Sequence, residues 1–384
     1  MKSGARIQGG VVLSAAAGLV ALVAAGSLAG SPRVAALAAV GFLAGVALYH
    51  ASFGFTSAWR RLILERRSAG VRAQIVMLAA TVTVNFPLLA AGEAGALDVS
   101  GFVNPVGLAL GAGAFLFGIG MQLGGGCGSG TLYTVGGGSV RMVVTLAAFI
   151  LGSVFATADP LGWMSWPALP PVSVIHAAGL PAALLIAALL LATAYAAART
   201  VETRAHRGTE PLMQPTAGTT LAGPWPLLAG ALALAAVNIA TLLLAGRPWG
   251  ITAAFALWGA KAAAVAGVDV ASWPYWRGDA ALTQSVFADI TSVMNFGIML
   301  GALAAAGLAG RFSPRQPLPT RSLIAAVLGG LAMGVGARLA TGCNIGAFFS
   351  GTMSGSLHGP VWLVFAIAGN WVGVKLRPSF NLPH

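Results

Sequence analysis

The chain has two cysteines, Cys127 and Cys343, and each lies in a glycine-rich stretch between apolar segments. Cys127 is part of GIGMQLGGGCGSGTLYTVGGGS (118–139), and Cys343 is part of ATGCNIGAFFSGTMSGSLHG (340–359). A thiol is a weak and soft hydrogen-bonding group, so a pair of thiols suits a soft, polarisable anion better than a hard, hydrated ion. A lone cysteine in an apolar run is most often a small buried hydrophobe. The placement of the second cysteine therefore decides between these interpretations.

The two stretches are copies of one internal repeat. GIGMQLGGGCGSG (118–130) aligns with GVGARLATGCNIG (334–346) without a gap, and the cysteines occupy the same position in both. Repeats of this kind in membrane proteins place a transport site at the midplane, where the N-termini of broken helices point at the solute. Those N-termini offer unpaired N–H groups to an anion, and glycine allows a close approach to the main chain. We therefore predict a substrate path lined by Cys127, Cys343, Gly126, Gly128, Gly342, Asn344, Gln122 and Thr131.

The elements that hold these stretches are predicted to be membrane spans. Of the 384 residues 57% are hydrophobic and 8% are charged, and apolar runs of about 18 residues or more indicate spans. The sequence predicts an all-α polytopic membrane protein with an inverted internal repeat, about nine spans and short re-entrant half-helices in an hourglass-like arrangement. Segments 34–57 and 250–266 are expected to be re-entrant, and the first apolar run is expected to be a span rather than a signal peptide.

The chain divides into three predicted parts. Residues 1–160 hold the first repeat with its Gly-Cys loop 118–139, and residues 223–384 hold the second with its Gly-Cys loop 334–359. Residues 161–222 form a linker helix followed by a cytoplasmic loop. The parts are large enough for each repeat to contribute half of one path.

Basic residues set the expected orientation. Loops 59–72, 199–207 and 309–322 are rich in arginine and are predicted to be cytoplasmic, whereas loops 92–104 and 158–171 carry only acidic charges and are predicted to be outside. This pattern favours inverted repeats, a periplasmic N-terminus and a cytoplasmic C-terminus. A parallel arrangement of the repeats is the alternative, since inversion leaves Lys2 and Arg6 outside. The net charge of +12 fits membrane loops and predicts no nucleic-acid partner.

Three charged residues near or within apolar segments have open roles. Lys261 is a functional candidate because charge inside a membrane is expensive. Asp289 is expected to pair with a basic residue or to take a coupling proton, and pairing is favoured. Arg338 would either draw anions into a vestibule or extend to the membrane interface, and the interface is slightly favoured.

The paired Gly-Cys loops, and TGCNIGAFFSGTMSGSLHG (341–359) above all, resemble those of the YeeE/YedE family of sulfur or thiosulfate transporters. The resemblance implies an inner-membrane thiosulfate importer whose cysteines pass the anion along by S–H···S hydrogen bonds. Cys127 and Cys343 match the cysteines of the family's two central loops. A further family cysteine falls in HASFGFTSAWRR (50–61), where this chain has Gly54. The expected substrate is therefore thiosulfate or a related sulfur-containing anion, with Gly54 at one mouth of the path.

The sequence predicts a transporter of the bacterial inner membrane, not an enzyme, and it predicts no cofactor. The lipid bilayer and the anion are the expected partners, together with a small cytoplasmic sulfur-carrier protein. Two alternatives remain open: a membrane thiol-redox protein that forms a transient disulfide, and an anion or neutral-solute channel whose cysteines only pack. The chain has no C-x-x-C motif for the first of these.

Overall fold

The computed structural model describes residues 7–214, 220–314 and 318–383. Ten helical stretches in these ranges are long and apolar enough to cross a membrane. The helices are α1 Gly9–Ala29, α2 Pro32–His50, α3 Phe55–Glu65, α4 Ala69–Ala91, α5 Leu108–Gly124, α6 Gly128–Gly136, α7 Val140–Thr157, α8 Val174–Ala178, α9 Leu180–His206, α10 Leu227–Ala245, α11 Thr252–Val265, α12 Ile290–Leu308, α13 Thr320–Leu339, α14 Ser350–Thr352 and α15 His358–Leu376.

The remaining regular elements are short. A π-helical turn, Asn344–Phe349, runs directly into α14, and the two together are called the 344–352 half-helix below. Single 3-10 turns occupy Trp163–Ser165, Val270–Ser272, Ala280–Leu282 and Arg377–Phe380. Two pairs of two-residue strands lie in loops: β1 Glu93–Ala94 with β2 Leu97–Asp98, and β3 Val106–Gly107 with β4 Ala168–Leu169. The all-α polytopic class is therefore confirmed.

The order of elements from α2 to α7 recurs from α10 to α15. In both series a long helix is followed by a half-helix, two long helices, a second half-helix and a last long helix. The packing partners recur as well: α7 packs on α13 as α15 packs on α5, and α2 packs on α12 as α10 packs on α4. The series are joined by α8 and α9. The boundaries 1–160, 161–222 and 223–384 stay a prediction.

The two series run in opposite directions across the molecule. At the end of α2, the His50 carbonyl accepts a hydrogen bond from the Trp225 amide, just before α10 begins. At the end of α10, the Gly246 carbonyl accepts one from the Ser100 amide in the loop after α4. Equivalent helices thus end on opposite faces. The face where α2 ends is called the Arg61 face, and the face where α10 ends is called the Asp98 face, after residues in their loops.

The first re-entrant segment lies further along the chain than the sequence indicated. Pro32–His50 is a complete helix, the chain breaks over 51–54, and the half-helix is Phe55–Glu65. Its counterpart Thr252–Val265 agrees with the predicted segment 250–266. The additional complete helix brings the number of long apolar helical stretches in the described ranges to ten, compared with about nine expected.

The additional helix also changes where the ends of the chain lie. The Gln8 side-chain amide donates to the Phe312 carbonyl and accepts from the Phe312 amide, both at 3.0 Å. Phe312 belongs to the basic loop after α12 on the Arg61 face. Arg377, which follows α15, donates to the Gln122 carbonyl near the end of α5 on the same face. The described ends therefore share one face, whereas the sequence predicted the two ends of the chain on opposite sides of the membrane. Lys2 and Arg6 lie outside the described residues.

Glycine makes the close packing of the long helices possible. A Cβ atom at Gly118 in α5 would collide with the Ala366 carbonyl of α15, and one at Gly334 in α13 would collide with the Phe149 carbonyl of α7. Gly118 and Gly334 are equivalent in the repeat. Small residues allow membrane helices to approach closely, because dispersion contacts and not hydrophobicity drive their association. Gly118 and Gly334 therefore allow helix packing, although both lie in the predicted Gly-Cys loops 118–139 and 334–359.

Candidate functional site

Four half-helices begin near the centre of the molecule. Their N-cap residues are Gly54, Cys127, Ile251 and Cys343, and none of these four caps forms a side-chain hydrogen bond to the helix it begins. The first turn of any helix has N–H groups without intrahelical partners. The structure therefore gathers four such ends in one place, two from each series of helices.

Cys127 lies at the junction of two half-helices. Its side chain is buried, with 1% of its surface exposed. The backbone amides of Gly130, in α6, and of Phe55, the first residue of α3, approach its Sγ atom. The Ser129 hydroxyl lies 3.4 Å from the same sulfur. The predicted combination of a thiol with helix N-termini is therefore present at Cys127.

Cys343 has the same environment in the second series. Its side chain is fully buried, and the backbone amides of Ile345 and Gly346 approach its Sγ atom. A Cβ atom built at Gly128 would lie 3.0 Å from Cys343 Sγ, and 3.3 Å and 3.4 Å from methyl carbons of Ile251 and Thr252. The first residue after Cys127 is therefore in contact with the second thiol and with the start of α11. Both cysteines are free thiols.

The glycines before the two cysteines allow the chain to fold back on its half-helix. A Cβ atom at Gly126 would lie 3.1 Å from the Gly130 carbonyl carbon and from the Thr131 amide nitrogen. Gly342 has a φ of +150°, and a Cβ atom there would lie 2.8 Å from the Ala347 amide nitrogen. Residues with a side chain rarely adopt such a φ. Gly126 and Gly342 are thus required by the backbone at both thiols.

Gln122 and Thr131 support the loops and do not face the thiols. The Gln122 side-chain amide donates to the Thr56 carbonyl at 3.1 Å and to Asn370 Oδ1 at 2.5 Å, which ties α5 to α3 and α15. The Thr131 hydroxyl donates to the Cys127 carbonyl at 2.9 Å. The structure brings Thr131 next to Cys127 as predicted, but its hydroxyl stabilises the backbone. Gln122 positions the start of α3.

Asn344 is the residue after Cys343, and its side chain is completely buried. Neither its amide nitrogen nor its carbonyl oxygen has a hydrogen-bond partner within the described chain. A buried amide without partners is costly and calls for an explanation, such as a ligand or water. Asn344 therefore stays a predicted site residue with hydrogen-bonding capacity to offer.

A cavity of about 350 Å³ lies between this centre and the Arg61 face. Gly54 and Ser57, at the start of α3, form its deep end, and Gln74 forms part of its wall. Arg61 and Arg67 also line it. The position where the family resemblance expected a third cysteine thus lines this cavity, as do two arginines.

A second cavity, of about 340 Å³, lies on the side of the Asp98 face. Gly342 and Gly346 line its deep end on either side of Cys343, and Arg247 and Arg338 line its wall. Arg338 is 6% exposed and donates to the Thr252 hydroxyl at 2.8 Å and to the Tyr275 hydroxyl at 2.9 Å. Arg338 therefore belongs to a vestibule and does not extend to the membrane interface, which was the slightly favoured expectation.

The other intramembrane charges have structural partners. Lys261 Nζ donates to the carbonyls of Leu282 and Gln284 at 2.7 Å and 2.6 Å. The Asp289 carboxylate caps α12 by accepting from the Ser292 amide at 2.7 Å. Arg247, which sequence reasoning missed, donates to the Thr291 hydroxyl at 3.1 Å in the outer cavity wall. It lies in the loop between α10 and α11, and no local sequence feature marked it.

Comparison with known proteins agrees with this architecture. A family model described as sulphur transport matches residues 50–372, from the end of α2 to α15. The thiosulfate transporter TsuA of Spirochaeta thermophila is 30% identical over 355 residues, which cover 86% of this chain and 95% of that protein. The probable transporter YedE of Escherichia coli is 34% identical over 142 residues, 36% of this chain and 35% of YedE. A YedE protein of Salmonella typhimurium matches over the same share of both chains, also at 34% identity.

The family and these relatives are transporters and not enzymes, and the described chain has the membrane-spanning helices that transport requires. With the family model covering most of its length, the chain belongs to the sulphur-transport family.

Proposed function

We propose that the protein takes up thiosulfate, or a related sulfur-containing anion, through a central path that crosses the two thiols. The observation that carries the proposal is the contact of Cys343 with Gly128, the residue that follows Cys127. It links the cavity at Gly342 and Gly346 to the cavity at Gly54 through two thiols in series. The near relative named a thiosulfate transporter, which this chain matches along most of its length, supports thiosulfate as the substrate.

The chemistry of the path fits an anion with a soft sulfur end. Backbone amides at the half-helix N-termini supply hydrogen bonds and the positive ends of helix dipoles. The thiols of Cys343 and Cys127 then donate weakly to the terminal sulfur in succession, so that no single site holds the anion too tightly. Asn344, with an unpaired amide group beside Cys343, supplies a further donor for an oxygen of the anion. No covalent bond forms or breaks in this scheme.

The closed centre requires a conformational change during transport. The Cβ position of Gly128 is already within 3.0 Å of Cys343 Sγ, so an anion cannot pass without separating the two loops. Small movements of one series against the other would open the gap. The occluded arrangement described here would then alternate with states open to one cavity.

We propose that the Arg61 face is cytoplasmic in the bacterial inner membrane. Arg60, Arg61, Arg66 and Arg67 lie there, and the positive-inside rule places such loops in the cytoplasm. Both described ends of the chain then lie inside. Anions would enter by the cavity of Arg247 and Arg338 and leave past Gly54, where a small sulfur-carrier protein would receive them. In this scheme the parts 1–160 and 223–384 each supply one thiol to the path, and 161–222 connects them.

Growth on thiosulfate as the sole sulfur source tests the proposal. A strain that depends on this protein for thiosulfate uptake should fail to grow with Cys127→Ala or Cys343→Ala, although both variants insert normally. Thr81→Val is the matched control, because Thr81 is fully buried in α4 and its hydroxyl donates only to the Met77 carbonyl, at 2.8 Å. Normal growth of both cysteine variants would exclude the thiol path.

A further inference from the structure

Glu210 holds the two arginines of the inner cavity together. Its carboxylate accepts from Arg61 Nη2 at 3.0 Å and 3.3 Å and lies 3.5 Å from Arg67 Nε. The side chains of Arg61 and Arg67 line the cavity next to Gly54, whereas Glu210 approaches them from the loop that follows α9. The guanidinium groups that face the proposed exit are therefore already bound to an anion, which is part of the protein.

The backbone of Glu210 is fixed by a buried ion pair. Its amide donates to Glu202 Oε1 at 3.0 Å, and its carbonyl accepts from Arg72 Nη2. Arg72 and Glu202 are themselves paired at 3.1 Å, with 5% and 0% of their side-chain surfaces exposed. The main chain at Glu210 is thus anchored to α4 and α9, while its side chain is 23% exposed. A carboxylate on a fixed backbone keeps a constant position near the cavity.

The positions of these charges resemble those of a site for a free anion. The half-helix α3 begins in the cavity with Gly54 as a cap that lacks a side chain, so the amides after Phe55 in its first turn have no capping side chain. Arg61 lies about two turns later in α3 and Arg67 just beyond its end, and both line the same cavity. An anion that leaves the Cys127 thiol past Phe55 would next meet these guanidinium groups. There it would compete with Glu210, because like charges repel and both need the same donors.

We infer that Arg61 and Arg67 form an exit site for the transported anion and that Glu210 is a tethered competitor that speeds its release. The inference rests on the proposed function. An anion on two unopposed arginines would dissociate slowly, since charge-assisted hydrogen bonds are the strong ones. The carboxylate weakens that site by occupying the donors whenever the anion moves away. Glu210 thereby sets the affinity of the exit site without touching the central path.

Thiosulfate exchange in inside-out membrane vesicles, which expose the Arg61 face to the medium, measures this affinity. Glu210→Gln should lower the thiosulfate concentration for half-maximal exchange by about three- to fivefold, the range expected when a half-exposed charge pair is lost. Glu65→Gln is the matched control. Glu65 pairs with Arg61 Nε at 3.1 Å, but it is 52% exposed and forms no pair with Arg67. The thiosulfate concentration for half-maximal exchange in Glu65→Gln should differ from the wild-type value by less than about twofold.

Equal half-maximal concentrations in Glu210→Gln and Glu65→Gln would overturn the inference, even if wild-type exchange of thiosulfate is normal. Wild-type vesicles that exchange no thiosulfate would instead overturn the proposed function. If Glu210→Gln does not insert, Glu210→Asp provides the same measurement, because the shorter side chain keeps the charge but withdraws it from Arg61. An unchanged concentration in Glu210→Asp would then count against the inference.

Discussion

Gly128→Ala is the substitution that best distinguishes an effect on the anion path from an effect on the stability of the fold. Gly128 is the first residue of α6, and its main chain is helical, so alanine fits the backbone. Replacing a helical glycine by alanine stabilises a protein by about 0.5–1 kcal/mol. The new methyl group would lie 3.0 Å from Cys343 Sγ, closer than ordinary contact, and overpacking of this kind costs about 1–3 kcal/mol. The net destabilisation is therefore about 0–2.5 kcal/mol.

The effect on transport should be larger than the effect on stability. The anion has to pass between Gly128 and Cys343, and the methyl group narrows the opened gap so that it crowds the anion there. A cost of about 1–3 kcal/mol on the barrier slows the step by roughly 5- to 150-fold. Initial rates of thiosulfate uptake into proteoliposomes, with the thermal midpoint of the detergent-solubilised protein, measure the two effects separately.

Gly10→Ala is the control for the substitution itself. Gly10 lies in α1, and a Cβ atom there meets no heavy atom within 4 Å. This variant should keep the wild-type uptake rate. A Gly128→Ala protein that inserts normally and also transports at the wild-type rate would refute the assignment of the path to the Gly128–Cys343 contact.

Three further outcomes are expected. Arg338→Gln should raise the external thiosulfate concentration for half-maximal uptake by about tenfold, since one charged donor of the outer cavity is lost. The same concentration should depend less on salt than in the wild type. An unchanged half-maximal concentration would show that Arg338 does not bind the entering anion. Arg72→Gln should destabilise the protein by up to about 3–5 kcal/mol, because buried Glu202 would keep only its longer 3.7 Å pair with Arg67. Full expression at the wild-type thermal midpoint would contradict this. Gly118→Ala should lower the yield of inserted protein through its collision with the Ala366 carbonyl, while the protein that inserts keeps the wild-type half-maximal concentration; a changed concentration would show that Gly118 affects the site.

The position of both thiols at half-helix N-termini could be predicted from the sequence, because local features determine it. A cysteine between glycines, repeated once at an equal position, predicts a half-helix N-terminus without knowledge of the rest of the fold. Gly126 and Gly342 follow from the same local geometry. The polytopic helical class follows from apolar length alone. Each of these features depends on residues within a few positions of one another.

The boundary of the first re-entrant segment was not predictable in the same way. Residues 34–59 contain no Asp, Glu, Lys or Arg, and the break after His50 contains no proline. Ser52, with a φ of +46°, takes the left-handed conformation that ends the helix, although serine carries no strong signal for it. Hydropathy therefore merged a complete span with the half-helix after it. This error also led to the expectation that the two ends lie on opposite faces, whereas the described ends share one face.

The other features that the sequence did not predict are contacts between residues far apart in the chain. Arg61 and Glu210 are 149 positions apart, and Arg338 and Thr252 are 86 apart. Nothing in the neighbourhood of Glu210 or Arg247 distinguishes it from an ordinary loop charge. Only the fold brings these groups to the walls of the two cavities. The charges around the path are thus a property of the tertiary structure, whereas the thiols are visible in the sequence.

The central claim is that the anion crosses the membrane by way of both thiols. Uptake of radiolabelled thiosulfate by purified protein in proteoliposomes tests it directly, with Thr81→Val as the control for substitution of a buried residue. The account predicts saturable uptake by the wild type and by the control, with each of Cys127→Ala and Cys343→Ala reduced to the rate of liposomes without protein. Wild-type uptake rates in both cysteine variants would contradict it.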